Sequence, residues 1–279
     1  MRILEVINKT TPFFEKHGIE SPRLNIELLL AHLLKKKRLD LYLEFERELD
    51  EPTLTGLREF VRRRAAGEPL QYILGTTEFC GLEFLTDRRV LIPRPETELL
   101  IEAVLQCRPR VIVDVGTGSG CVAVALAKKL PDAEVYALDA SADALDVARA
   151  NIKRHDLEKK IRLFQSDLLG KLPGSLPVDA IVSNPPYVAT GELTKLPKEV
   201  RDFEPVRALV AGEDGLEVYR RLIPQAQACL TPAGFIALEL GAGQCATVKQ
   251  LLAGNGFEVT QVVKDLQGHE RVIVAHVKS

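Results

Sequence analysis

The run Val111-Ile112-Val113-Asp114-Val115-Gly116-Thr117-Gly118-Ser119-Gly120 decides the fold of this chain. Four of its first five residues are β-branched and apolar, which reads as a strand. Three glycines at alternate positions then allow a tight turn and close approach of backbone to a ligand, and Ser119 or Gly120 opens a helix over about 119–129. Strand, glycine turn and helix in that order begin a parallel α/β sheet. The spacing G-x-G-x-G differs from the G-x-G-x-x-G that seats a pyrophosphate. Asp114 also puts negative charge two positions before the first glycine. Charge of that sign is poor for a diphosphate and good for a cationic group or an amino-acid ammonium.

Downstream the chain alternates strand and helix, as such a sheet requires. Strands are expected at Val111–Val115, Glu134–Leu138, Ile161–Gln165, Ala180–Ser183 and Phe235–Leu240, and helices at about 119–129, 141–154, 214–230 and 244–254. Phe257–Val263 and Arg271–Val277, joined through Asp265-Leu266-Gln267-Gly268, read as a closing hairpin. Upstream, residues 1 to about 78 carry helical periodicity. Leu28, Leu29, Leu30, Leu33 and Leu34, then Leu54, Leu57, Phe60 and Val61, recur at three- and four-residue steps. Ser21-Pro22 and Glu51-Pro52-Thr53 look like helix starts with proline in the first turn. Phe79, Leu82, Phe84, Leu85 and Val90, with Gly81 among them, point to a short hairpin. The expected organisation is a helical bundle over 1–78, a hairpin linker over 79–95 and an α/β domain over 96–279. Two basic runs in the bundle, Lys35–Arg38 and Arg62–Arg64, read as solvated helix ends or as a docking surface for a negatively charged partner.

Acidic residues mark the next two strand ends. Asp139 lies 23 residues beyond Gly116, where a carboxylate can accept both ribose hydroxyls of a nucleoside; a helix N-cap before Ser141 is its other reading. Asp167, in Gln165-Ser166-Asp167-Leu168, stands with Leu168 where an adenine amino group could be read. With Gly116, Thr117, Gly118, Ser119 and Gly120, these residues describe a site for an adenosine that carries an amino acid and a positive charge, namely S-adenosylmethionine.

Asn184-Pro185-Pro186-Tyr187 follows the fourth strand. Asn184 Oδ1 and the Pro185 carbonyl can accept the two N–H bonds of a planar NH2 group, while the Tyr187 ring lies against its π face. Successive prolines fix φ twice and bias Asn184 towards an extended conformation, so the acceptors are held before the target arrives. Asn184, Pro185 and Tyr187 are therefore the expected catalytic residues, Pro186 completes the substrate turn, and Asn184 also reaches the cofactor. The turn holds no general base, so the proton is expected to leave to solvent. Glu96 and Glu98 are expected to line the pocket without accepting a proton, because a helix N-terminus favours acidic residues in any case.

Composition narrows the classes. The 279 residues are 46% hydrophobic and 27% charged with a net charge of −2, which argues against a protein whose main work is gripping bare nucleic acid. No apolar stretch approaches the roughly 18 residues of a membrane span. The five cysteines, Cys80, Cys107, Cys121, Cys229 and Cys245, never stand in a C-x-x-C spacing; they read as reduced, mostly buried thiols of a cytoplasmic protein, and no metal site is expected from them.

DVGTGSG at 114–120, the strand ending in Asp139, QSD at 165–167 and SNPPY at 183–187 resemble a class I methyltransferase of the amino-methylating kind. YILGTTEFCGLEF at 72–84, IPRPETE at 92–98, VRDFEPVRAL at 200–209 and GHERV at 268–272 are similar to the protein-(glutamine-N5) methyltransferases of class 1 peptide chain release factors, the PrmC/HemK family, over nearly the whole chain. The resemblance implies a Rossmann-like, mostly parallel seven-stranded sheet behind a small helical domain. It implies S-adenosyl-L-methionine as donor, S-adenosyl-L-homocysteine as product, and transfer to the glutamine of a Gly-Gly-Gln tripeptide, with the front domain helping to dock the release factor. A cytoplasmic monomer without direct contact to nucleic acid is the accompanying expectation. The rival enzyme is an adenine-N6 or guanine-N2 nucleic-acid methyltransferase, which uses the same turn but needs base flipping and a basic reading module. A binding module that has lost its chemistry is disfavoured by the intact glycines, Asp139 and Asn184–Tyr187, and a nicotinamide-dependent dehydrogenase by the glycine spacing and Asp114.

Overall fold

A computed structural model describes residues 1–174 and 176–278. Two units make up the chain: Met1–Gly75 with Pro197–Phe203, and Thr76–Leu196 with Glu204–Ser279. The first is helical, with α1 (Ile3–Lys16), α2 (Pro22–Leu34), α3 (Asp40–Leu43), α4 (Glu51–Ala65) and α5 (Leu70–Leu74). Ile3, Ile7, Phe14, Ile26, Leu29, Leu30 and Leu57 form its buried core. Asp50 caps α4 by accepting from the Thr53 N–H at 3.0 Å, two residues before the proline that marked this start in the sequence.

The basic runs are largely spoken for within this unit. Lys36 pairs with Glu44, Arg38 with Glu27, Arg62 with Glu59, and Arg63 holds Glu68 through two hydrogen bonds. Arg64 is buried between Asn25 Oδ1 (2.7 Å) and Glu199 Oε2 (2.9 Å). These ion pairs lie within the bundle, and those of Arg38 and Arg62 are partly exposed.

The second unit opens with a hairpin, β1 (Thr76–Phe79) and β2 (Leu82–Leu85), and continues through α6 (Thr97–Cys107), β3 (Val111–Val115), α7 (Cys121–Lys129), β4 (Glu134–Asp139), α8 (Ala142–Arg154), β5 (Ile161–Gln165) and β6 (Val178–Ser183). After α9 (Lys198–Phe203), which groups with the first unit, come α10 (Glu217–Cys229), β7 (Leu230–Glu239), α11 (Cys245–Gly254), β8 (Phe257–Lys264) and β9 (Glu270–Val277). The main sheet has seven strands in the order β5-β4-β3-β6-β7-β9-β8, parallel except for β9, which runs antiparallel to both neighbours.

Two corrections to the sequence reading follow. The hairpin expected over 79–95 lies over Thr76–Leu85 and packs within the second unit: Phe79 and Phe84 are buried in the same core as Leu100 and Val104 of α6, and Asn151 of α8 exchanges hydrogen bonds with the Leu85 backbone at 2.7 and 3.0 Å. And β7 begins at Leu230, five residues before its expected start, because Leu230 pairs with Val178 beyond a bulge and draws the Thr231–Gly234 stretch into the strand. Of the cysteines, all free, Cys121 and Cys245 are buried and Cys107 is exposed. No helix among the described residues is long and apolar enough to cross a membrane.

Strand parity divides the core in two. Ile112, Val135, Ala137, Ala180 and Val182 face the layer of α6 and α7; Val113, Val115, Leu138, Ile181 and Ile236 face that of α10 and α11. The chain enters at β3, winds to one side through β4 and β5, then returns to place β6 on the other side of β3. That reversal leaves a crevice over the carboxyl ends of β3 and β6, the place where open α/β sheets bind ligands.

Candidate active site

A cavity of about 240 Å³ occupies the crevice, lined by Gly116, Gly118, Asp139, Asp167, Leu168, Asn184 and Pro186. Register brings these residues together: Val115 pairs with both Leu138 and Ser183, and Asp139 with Gln165, so four strand ends finish level. The Ser183 hydroxyl donates to the Val115 carbonyl at 2.7 Å and ties the two strands on either side of the crevice.

The glycine turn is held from within. Gly116 and Thr117 N–H both donate to the Leu138 carbonyl (2.8 and 2.9 Å), Gly118 N–H to Asp139 Oδ2 (2.9 Å) and Gly120 N–H to the Thr117 carbonyl (2.8 Å). A turn with its amides committed in this way offers no nest for a phosphate, whereas Asp139 still presents unused acceptor lone pairs at the cavity wall. The residues present therefore fit a hydroxyl-bearing nucleoside without a pyrophosphate. Asp139 Oδ1 also accepts from Ser141 N–H at 2.8 Å, but the cap of α8 is Ser141 itself, whose Oγ accepts from Ala144 N–H.

Several expected cofactor residues face elsewhere. Thr117 and Ser119 are buried away from the cavity, and Gly120 (φ +80°) packs where a Cβ would come within 3.2 Å of Ala148, so it serves the α7–α8 contact. Asp114 shares the parity of Ile112 and lies under the turn, accepting from Thr117 Oγ1 at 2.6 Å. Burial pushes its carboxyl up to about 7. It braces the loop and is absent from the cavity wall. Asp167 reaches the cavity wall, but its side chain is 69% exposed and pairs with Arg221.

The Asn184–Tyr187 turn is positioned by backbone on both sides. Tyr187 and Val188 N–H donate to the Leu209 carbonyl (3.1 and 2.8 Å), and Gln244 Nε2 donates to the Tyr187 carbonyl (2.9 Å) and the Gly215 carbonyl (3.2 Å). Asn184 and Pro186 line the cavity; Pro185 and Tyr187 do not. The Tyr187 ring lies against Gly241, and its hydroxyl donates to Glu239 Oε1 at 3.4 Å.

Residues outside the expected set complete this region. Asn184 Nδ2 donates to Thr97 Oγ1 at 3.1 Å, and Thr97 Oγ1 donates to Glu239 Oε2 at 2.6 Å. Thr97 and Glu239 are each 2% exposed, and burial pushes the Glu239 carboxyl up to about 7. Ile92–Glu98 thus pins the site: Arg94 donates to Glu204 Oε1 at 2.6 Å, and Glu98 accepts from Cys80 N–H at 2.7 Å, turned towards the hairpin and away from the pocket it was expected to line. Glu96 is absent from the cavity wall and acts on the site through its charge, which raises the Glu239 carboxyl further. The one available signal for Glu239 was a charged residue inside the apolar run Phe235–Leu240.

Comparison with known proteins agrees with this geometry. Residues 5–75 match the PrmC N-terminal domain and residues 95–199 the methyltransferase small domain. The release factor glutamine methyltransferase of Geobacter sulfurreducens is 42% identical over 273 residues, covering 97% of this chain and 95% of that protein. That of Moorella thermoacetica is 43% identical over 264 residues, 93% of each. Among solved structures, a methyltransferase from Pyrococcus furiosus superposes with a TM-score of 0.54 at 22% identity, over 72% of this chain and 91% of that one. The 16S rRNA N2 G1207 methyltransferase of T. thermophilus, in complex with AdoMet and guanosine, does so at 0.53 and 21%, over 73% and 50%. The structural likenesses establish the methyltransferase fold, and the near full-length identity goes further: this chain belongs to the release factor glutamine methyltransferase family.

Proposed function

We propose that this protein transfers a methyl group from S-adenosylmethionine to the side-chain amide nitrogen of the glutamine in the Gly-Gly-Gln motif of a class 1 release factor. The single observation that carries the reading is the placement of Asn184 on the cavity wall with its Nδ2 engaged by Thr97. With one N–H of the amide engaged there, Oδ1 is the atom placed to accept from a substrate, and it has no protein donor among the described residues. When bound, S-adenosylmethionine supplies a methyl group already activated on a sulfonium. Asp139 and the Gly116–Gly118 turn would hold its nucleoside; Asn184 Oδ1 and the Pro185 carbonyl would hold the incoming amide by both N–H bonds.

A carboxamide nitrogen is a poor nucleophile because its lone pair is delocalised into the carbonyl. Fixing both N–H bonds aims the nitrogen and stabilises the positive charge that develops on it, on a scale of several kcal/mol for orientation of this kind. A nucleobase amine is the competing acceptor for such a turn, and the internally paired basic runs weigh against it.

The test offers labelled S-adenosylmethionine with a purified release factor, and separately with rRNA and DNA. Label on the Gly-Gly-Gln peptide is expected, and label on nucleic acid alone overturns the proposal. Asn184→Ala should abolish transfer while cofactor affinity stays within a small factor. Near-normal turnover by that variant would refute the orientation mechanism.

A further inference from the structure

The chain Asn184–Thr97–Glu239 has a direction. A threonine hydroxyl carries one proton. Thr97 spends it on Glu239 Oε2, at 2.6 Å, so its oxygen is left as an acceptor for Asn184 Nδ2, at 3.1 Å. We propose that Glu239 is a positioning residue: as a carboxylate it fixes, through Thr97, which end of the Asn184 amide faces the cleft. This rests on the reading of Asn184 as the acceptor for the substrate amide.

Protonation would reverse the logic. A neutral Glu239 can donate to Thr97 Oγ1, which frees the threonine proton to point back at Asn184. The Asn184 amide can then turn over about χ2, receive that proton on Oδ1 and present its own NH2 to the cleft. Two NH2 groups would face each other and the substrate would lose its acceptor. A broad, two-fold torsion makes this turn inexpensive in itself, so the amide needs an external device to set it. Glu239 lies 142 residues from Thr97 in sequence, is 2% exposed, and spends its two carboxylate oxygens on the hydroxyls of Thr97 and Tyr187.

Groups from every neighbouring element bear on Glu239. Glu96, beside Thr97 at the start of α6, raises its carboxyl; Arg271 of β9 lowers it, although Arg271 is itself engaged by Asp265 Oδ2 at 2.8 Å. Tyr187 donates to Oε1, and Tyr219 of α10 donates to the Glu239 backbone carbonyl at 2.7 Å. Burial outweighs Arg271 and places the carboxyl at about 7, so the charge state changes in an accessible range.

The experiment measures kcat for methylation of a purified release factor from pH 5.5 to 9, in the wild type, Glu239→Gln, Thr97→Val, Thr97→Ser and the Glu239→Gln/Thr97→Val pair. Cofactor affinity is measured calorimetrically and thermal stability beside it. The wild type should lose kcat as pH falls through about 7. Glu239→Gln should remove that acidic limb, because its amide oxygen can still accept from Thr97 and does not titrate. Thr97→Val should remove the limb and also lower kcat at pH 8 by roughly tenfold, the scale of one lost hydrogen bond. Thr97→Ser should recover wild-type behaviour, and the double variant should be no worse than Thr97→Val. Persistence of the limb in Glu239→Gln, or losses that multiply in the double variant, would overturn the inference. Should Glu239→Gln not fold, Thr97→Val against Thr97→Ser decides alone: equal pH profiles in the two overturn it. Asn184→Ala in the same assay separates the readings. An inactive Asn184→Ala with an unaltered limb in Glu239→Gln refutes only the role of Glu239; an active Asn184→Ala refutes the parent reading.

Discussion

Asp139 and Asp167 were equal in the sequence, each an acidic residue at a strand end, and their surroundings make them unequal. Asp139 holds Gly118 N–H and Ser141 N–H at 2.9 and 2.8 Å and faces the cavity, so one carboxylate both sets the glycine turn and lines the cavity wall. Asp167 stands in solvent and pairs with Arg221, an arrangement that contributes little. Asp139→Ala should weaken cofactor binding by about 2 kcal/mol, roughly thirtyfold, because charge-assisted hydrogen bonds of this kind are lost together. Asp167→Ala should change it by no more than about threefold. Calorimetric titration of both variants checks the pair, and a larger effect at Asp167 would reverse the assignment. Glu98 carries the same lesson from the other side: its charge suited the pocket, yet Cys80 N–H claims it.

Among the elements, the loops after β6 and β7 meet over two glycines. A Cβ on Gly215 would fall 2.3 Å from the Tyr187 carbonyl, and one on Gly241 would fall 2.6 Å from Gln244 Oε1 and 3.0 Å from the Tyr187 ring. Gly243 shares the left-handed backbone of Gly215 (φ +78° against +73°) with nothing within 4 Å. Gly215→Ala and Gly243→Ala therefore carry the same backbone strain, about 1 kcal/mol, and only the first also displaces the Asn184–Tyr187 turn. Both should lose similar stability on that account; Gly215→Ala should lose a further 1–3 kcal/mol from overpacking, and kcat with it. Equal kcat in the two variants would mean that Tyr187 is not held by this packing. The strand–helix alternation was legible in the sequence because β3, β4 and β7 carry apolar runs and each is followed by a helix, so local pattern and fold agree there. The residues that hold the turn were not legible. Thr97 and Glu239 come from segments 142 residues apart, and Gln244 reaches Tyr187 across 57; only the closing of the sheet makes them neighbours. Asp114 misled for a different reason, because its position in the motif says nothing about parity, and parity turns it into the α6–α7 layer.

At the scale of the molecule, two buried carboxyls oppose the trend of the surface ones. Asp114 and Glu239, on β3 and β7, are both raised by burial to about 7 from ordinary values of 3.8 and 4.5. A carboxyl raised on folding holds its proton in the native state where the unfolded chain has released it. Its contribution to stability is complete below about pH 4 and is lost as pH rises through about 7. A surface carboxylate such as Asp214, lowered to about 2 by Arg220, acts in the reverse sense and withdraws its support only in acid. Between pH 4.5 and 7.5 the buried pair should therefore dominate the slope, each group by at most about 1.4 kcal/mol per pH unit. The melting temperature should fall as pH rises from 5.5 to 8, and Asp114→Asn should flatten that fall by removing one of the two titrations. Asparagine still accepts from Thr117 through its oxygen, so the variant should be relatively more stable than the wild type at pH 8 than at pH 5.5, whatever its absolute loss. Melting curves of both proteins at the two pH values decide it: an unchanged difference would mean that the Asp114 carboxyl is already ionised in the folded protein at pH 5.5.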